Sequence, residues 1–342
     1  MIKFRNDYSE GTHPSILNKI LETNLIQTVG YGEDEYCETA RHKIKTHLKC
    51  DAAAVHFFVG GTATNLTSLS AFLRPHESIL APDTAHICLH ETGAIEATGH
   101  SIIGVPNAAG KISPEQIELA INNHLPTHMT KIRIVYISNS TEYGSIYTKA
   151  ELYSLRDACK KHNLLLYLDG ARLGVALTCD KNDLDITDIC NCVDAFYIGG
   201  TKNGALFGEA LVIVNPSLQS DFKYFIKQKG ALLAKGRLLG IQFLALFEDN
   251  LYYKLAKHAN DMAKIISHNI EKLGFKLFIS TETNQIFVIL SLAQHNQLSQ
   301  HIDYEIWEPY DEQHIVIRFV TSWATTADMV DTLAGHMGEL LL

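Results

Sequence analysis

Three short stretches carry groups suited to chemistry. AFYIGGTKNGALFG (residues 195–208) sets Lys202 straight after an apolar run and between glycines. An ammonium is costly to bury. A lysine at a strand end is therefore either a solvated loop charge or an amine of lowered pKa able to form a Schiff base. LYLDGAR (166–172) ends a buried run with Asp169. Such a carboxylate needs a partner, which is either Arg172 in a structural ion pair or a bound cation. In the second case Arg172 stays free to take a substrate carboxylate in bidentate geometry. VGGTATN (59–65) follows a strand and opens a helix. Gly61 lets backbone approach closely, and Thr62 offers a hydroxyl and a helix N-cap. Free N–H groups and the helix dipole make such a place a phosphate cradle, although a tight turn with a capping threonine reads the same way. The cradle, the strand-end acid and the strand-end amine together describe a site for pyridoxal 5'-phosphate.

The elements that must position these groups are legible as apolar runs alternating with amphipathic segments. AAVHFF (53–58), IRIVYIS (132–138), LLLYLD (164–169), VDAFYIG (193–199) and ALVIV (210–214) read as strands. Helical patterns fall between them, including one from Thr148 with Leu152, Leu155 and Cys159 on one face. Near-continuous apolar strands separated by helices predict an α/β fold, a mostly parallel sheet covered on both faces. After about residue 245 a long helix and separated strands, QIFVIL and HIVIRFV, predict a smaller α+β domain. The division is thus 1–245, with the N-terminal segment, and 246–342. Ligands of open α/β sheets bind at the carboxyl ends of strands. Residues 60–65, 138–142, 169–172 and 199–202 all lie at such ends and should converge.

Bulk properties narrow the partners. The chain of 342 residues has a formal net charge of −9, which argues against nucleic acid. No apolar run suits a signal peptide or a membrane span, so no membrane partner is expected. Seven cysteines without a CxxC pair read as free thiols of a cytoplasmic protein. His86 and His90 stand four apart without a third ligand at a familiar spacing, and no metal is expected. GYGEDE (30–35) lacks the third glycine and the preceding strand of a dinucleotide fingerprint, which disfavours a nicotinamide-dependent oxidoreductase.

RNDYSEGTHPSIL, GGTATNL, TAHICLHETGA, STEYGSIYT, LDGARLG and GGTKNGALFGEA occur in this order. They resemble the motifs of the PLP-dependent L-threonine aldolases, in the β-eliminating lyase group of fold type I, and are most similar to the low-specificity branch. The resemblance implies a fold type I large domain with a seven-stranded, mostly parallel sheet and a smaller C-terminal domain. It implies Lys202 as the Schiff-base lysine, Asp169 as partner of the pyridinium nitrogen, and Gly61, Thr62 and Thr201 as phosphate ligands. His86 would stack on the ring. Asn6, Arg172 and Arg318 would meet the substrate carboxylate. Lys229 and Arg237 would reach the phosphate from a neighbouring subunit and Tyr31 the active site likewise, in a homodimer or homotetramer. The implied reaction is cleavage of L-threonine, L-allo-threonine and related β-hydroxy-α-amino acids to glycine and an aldehyde. His86 or a water it holds would take the hydroxyl proton. Another PLP reaction, such as β-elimination or transamination, and non-catalytic PLP binding are the alternatives. One position departs from many family members: Thr141 stands where they carry a histidine, as the low-specificity branch also does.

Overall fold

The computed structural model describes residues 1–341. Seven strands form one sheet in the spatial order Ala54–Phe58, Glu209–Ile213, Ala195–Gly199, Leu165–Asp169, Lys131–Ser138, Glu77–Pro82, Ile102–Val105. Glu209–Ile213 runs antiparallel to both its neighbours, and the remaining pairs are parallel. The apolar runs form strands because both faces of this sheet are covered. Leu166 and Leu168 enter one core cluster, whereas Leu165 and Tyr167 enter the cluster on the other face. Each fully buried leucine contributes about 1.5–3 kcal/mol of transfer free energy.

The helix expected from Thr148 spans Lys149–Lys161, and a capping box starts it: Thr148 accepts from the Glu151 N–H while Glu151 accepts from the Thr148 N–H. Leu152, Leu155 and Cys159 are buried, as their spacing requires. Besides the two-residue strands Ile2–Lys3 and Ile302–Asp303, three strands have no clear counterpart among the apolar runs. Glu77–Pro82 is bounded by a glutamate and a proline, Ile102–Val105 is a four-residue edge strand, and Glu305–Pro309 holds two glutamates.

The C-terminal layer is an antiparallel sheet in the order Glu305–Pro309, His314–Val320, Gln285–Ser291. The helices Leu251–Lys272 and Ala327–Glu339 share a separate core with it, containing Ile266, Val288, Phe319 and Leu333. The first residues pack here rather than on the large sheet. Ile2–Lys3 pairs with Ile302–Asp303, and Phe4 lies in the C-terminal core. The chain then crosses to the lysine turn, where the His13 N–H and the Thr12 hydroxyl donate to the Gly204 carbonyl at 2.9 and 2.8 Å. The N-terminal segment thus ties the two layers together.

Candidate active site

All four strand-end stretches converge, enclosing a cavity of about 280 Å³. Its wall includes Gly61, Thr62, His86, Glu142, Asp169, Arg172, Thr201, Lys202 and Glu209. Glycine makes the convergence sterically possible. A Cβ at Gly170 would stand 1.8 Å from the Tyr197 carbonyl oxygen, and one at Gly199 2.3 Å from that of Ala171. The turns carrying Asp169 and Lys202 can therefore press against each other only without side chains at these points.

Lys202 is a partly buried amine facing this cavity. Burial, and then repulsion from Arg172, lower its pKa against the pull of Asp7, Asp169 and Glu209. The opposite holds at Asp169, which is 4% exposed. Burial by itself would raise this carboxyl. Attraction to His86 and the bonds from Tyr136, Tyr197 and the Ala171 N–H outweigh it and leave the group below its ordinary value. Tyr197 donates to Oδ1 at 2.5 Å and the Ala171 N–H at 3.0 Å. Tyr136 and Asn65 donate to Oδ2, the latter at 3.1 Å. Asp169 does not pair with Arg172.

At the cradle, the N-cap of helix Gly61–Phe72 is Gly60 and carries no side-chain bond, so Thr62 is not the cap. Helix geometry leaves the first N–H groups without intrahelical partners. The Thr62 side chain adds a hydroxyl to that end of the cavity. Thr201, on the facing turn, accepts the Gly208 N–H at 2.9 Å through its hydroxyl oxygen. Pyridoxal phosphate fits this donor set: N–H groups and hydroxyls for a phosphate, an ionised acid for a ring N–H, and an amine of lowered basicity for an aldehyde.

His86 begins a four-residue helix, and its Nδ1 bonds Glu91 Oε1 at 2.8 Å. Glu91 Oε1 also accepts from Asn65 at 2.8 Å, which links the histidine to Asp169 through one amide. Arg172 is not free. Asp7, 1% exposed, accepts from its Nε at 2.7 Å and from Nη2 at 3.0 Å. Asn6, expected near the substrate, instead accepts from the Tyr8 N–H and the Ser9 hydroxyl, closing its own turn. Arg318 donates to Glu305 and, at 2.9 Å, to Gln285, with Trp307 4.9 Å below it. Burial, then Arg172, lowers its pKa.

Asn6, Tyr31, Lys229, Arg237 and Arg318 do not line this cavity within the chain. Arg237 donates to the carbonyls of Thr23 and Ile26, and Lys227 lies 4.6 Å over the exposed Tyr31 ring. Asp7, Asn65, Glu91, Tyr136, Glu142, Tyr197 and Glu209 were not recognised as site residues from sequence. A tyrosine inside a buried run must find a partner for its hydroxyl, and that was the available signal for Tyr136 and Tyr197.

Residues 5–293 match the beta-eliminating lyase family. The chain belongs to this family. The match takes in every strand-end stretch of the cavity and stops before Arg318. Among relatives, a low specificity L-threonine aldolase of Pseudomonas aeruginosa is 30% identical over 97% of this chain and 96% of its own. Another, of a Pseudomonas species, is 31% identical over 84% of each chain. A solved threonine aldolase structure from Leishmania major superposes with a TM-score of 0.99 at 43% identity, covering both chains fully. The observed sheet has the fold type I architecture.

Proposed function

We propose that the protein cleaves L-threonine, L-allo-threonine and similar β-hydroxy-α-amino acids to glycine and an aldehyde, using pyridoxal phosphate. The observation that carries this reading is the pairing, in one cavity, of Asp169 held ionised with Lys202 held toward its neutral form. When bound, the cofactor supplies a conjugated sink for the electron pair left on Cα as the Cα–Cβ bond breaks. The chain's own residues do the rest. Lys202 anchors the aldehyde and can return a proton to Cα. Arg172, fixed on one edge by Asp7, keeps its Nη1 hydrogens for the substrate carboxylate, and Arg318, held by Glu305 and Gln285 outside the cavity wall, would add a second grip only by turning inward. Holding the carboxylate sets which Cα bond is aligned to break, so orientation selects the reaction.

Several finer readings belong to the same proposal. A homodimer or homotetramer, cytoplasmic, would bring Lys229, Arg237 and Tyr31 to a neighbour's site. The cationic side chains of the cavity wall are Arg172, already paired, and Lys202, which supports cations arriving from elsewhere for a phosphate. Exposed Leu17, Leu21, Leu25, Ile26 and Val29, beside Tyr31, support a covered face. The units would divide near residue 245, with the first residues joined to the smaller one. No helix among the described residues is long and apolar enough to cross a membrane.

The test is direct. Purified protein saturated with pyridoxal phosphate should release glycine and acetaldehyde from L-threonine or L-allo-threonine, and Lys202→Ala should abolish release. Pyruvate or a 2-oxo acid as product, or none at all, overturns the aldolase assignment.

A further inference from the structure

Cleavage requires a base. As Cα–Cβ breaks, the β-hydroxyl must lose its proton so that the O–H pair becomes the second bond of the aldehyde carbonyl. The Cα–Cβ pair stays with Cα. We propose that the Glu142 carboxylate takes that proton, an inference that rests on the aldol-cleavage reading above. The carboxylate becomes a carboxylic acid, Cα takes one proton back, and Glu142 releases its own to solvent. Threonine is converted to glycine and acetaldehyde with no oxidant or reductant.

Glu142 lies four residues beyond the end of the Lys131–Ser138 strand and lines the cavity with Lys202 and Arg172. One oxygen is anchored: Oε1 accepts the Ser138 hydroxyl at 3.0 Å and the His86 N–H at 3.1 Å. The other, Oε2, is buried without a partner. A buried carboxylate oxygen lacking a donor is costly, and a substrate hydroxyl would meet that need. Most competing groups are occupied or unsuited. Thr141 turns its hydroxyl onto the Ala109 carbonyl at 3.0 Å and the Ser145 hydroxyl at 2.9 Å. His86 Nδ1 bonds Glu91, which leaves Nε2 as the one rival lone pair, while both oxygens of Asp169 accept two donors each. Ser140 also lines the cavity with an unpartnered hydroxyl, but an alcohol is too weak a base without another to activate it. Glu91 Oε2 is unpartnered as well, yet Glu91 is not part of the cavity wall.

Electrostatics agrees with this geometry. Burial, then the like charge of Asp169, raise the Glu142 pKa against the Ser138 bond and the attraction of His86. A carboxylate made more basic in this way accepts a proton more readily near neutral pH.

Glu142→Gln keeps the shape and the Oε1 acceptor and removes the basic oxygen. Two rates are measured on cofactor-saturated protein: threonine cleavage, and exchange of the glycine α-proton for deuterium, followed by NMR. Exchange uses the same cavity and no hydroxyl. Cleavage should fall about 10²–10⁴-fold. Exchange, the visible cofactor band and the melting temperature should stay at wild-type values. Formate should partly restore cleavage to Glu142→Ala, which keeps the question answerable if the glutamine variant does not fold. Cleavage by Glu142→Gln at the wild-type rate overturns the proposal, as does parallel loss of cleavage and exchange. Wild-type protein that exchanges glycine yet cleaves no β-hydroxy amino acid overturns the aldolase reading itself, and the proposal with it.

Discussion

Two carboxyl groups leave neighbouring strand ends and meet opposite fates. Ser138 and Asp169 are register partners, so Asp169 and the loop bearing Glu142 start from the same edge of the sheet. Both groups lose water. Asp169 gains four donors, two on each oxygen, and its pKa falls. Glu142 gains two donors, both on one oxygen, and its pKa rises. Hydrogen bonds to a charged group contribute about 1.5–3 kcal/mol each, so four can outweigh a desolvation penalty that two cannot. Burial does not decide the ionisation of a carboxyl in this cavity. Neighbouring charge, above all His86 beside Asp169, and the count and placement of donors do, and they divide the wall into an end that holds a fixed charge and an end that can exchange a proton.

Beyond the Lys202 and Glu142 variants, the largest effect should come from removing the fixed charge. Asp169→Asn keeps the shape but sets an NH2 where one oxygen accepted two donors, and kcat/KM on threonine with saturating cofactor should drop about 10²–10³-fold, in line with the loss of a preorganised electrostatic partner. Near-normal activity would show that the charge at this end is dispensable and break the comparison. A smaller and differently shaped effect is expected at the substrate end. Asp7→Asn loosens Arg172, so KM for threonine should rise about 10–100-fold with kcat changed less. Removing one member of a buried ion pair also costs about 3–5 kcal/mol of stability, visible as a lower melting temperature. A fall in kcat with KM unchanged would place Arg172 outside the carboxylate grip.

Sequence carried the fixed end of this comparison better than the exchanging end. Asp169, Lys202 and Gly61 sit immediately after long apolar runs, where strand direction alone puts them at the ligand edge. The runs QIFVIL and HIVIRFV likewise became strands at their own positions. Misjudged details depended on contacts between residues far apart in the chain. Arg172 reads as available beside Asp169, but Asp7 binds it from 165 residues away. The helix cap at residues 60–62 is displaced by two positions, since the helix already begins at Gly61. Tyr136 and Tyr197 look like core residues and are both core and ligand, because the inner end of the cavity is the core of the sheet. Glu142 lies inside a stretch expected at the ligand edge, yet nothing local distinguishes it from Thr141. Only the fold turns one hydroxyl away and leaves one buried carboxylate oxygen unpartnered.

The smallest expected effect tests the rule itself on a third carboxyl. Glu209, 3% exposed beside Lys202, receives the Gly200 N–H at 2.9 Å and the Thr201 hydroxyl. Burial pushes it up to about 8 despite these bonds and the pull of Lys202. With few donors it should share the fate of Glu142. Its unfolded value is near 4.5, so between pH 4.5 and 8 the folded chain holds a proton that the unfolded chain has released. Stability must then decline as pH rises through that window, and the decline ends above the folded pKa. Glu209→Gln cannot titrate, so the melting temperature of cofactor-free wild type should fall more than that of the variant between pH 5 and 8. Each kcal/mol is worth at most about 2–4 °C in a chain of this size, so the gap is modest but should widen steadily with pH. Parallel melting curves at every pH would mean that Glu209 is already ionised in the fold, and that donor count fails as the rule for this cavity.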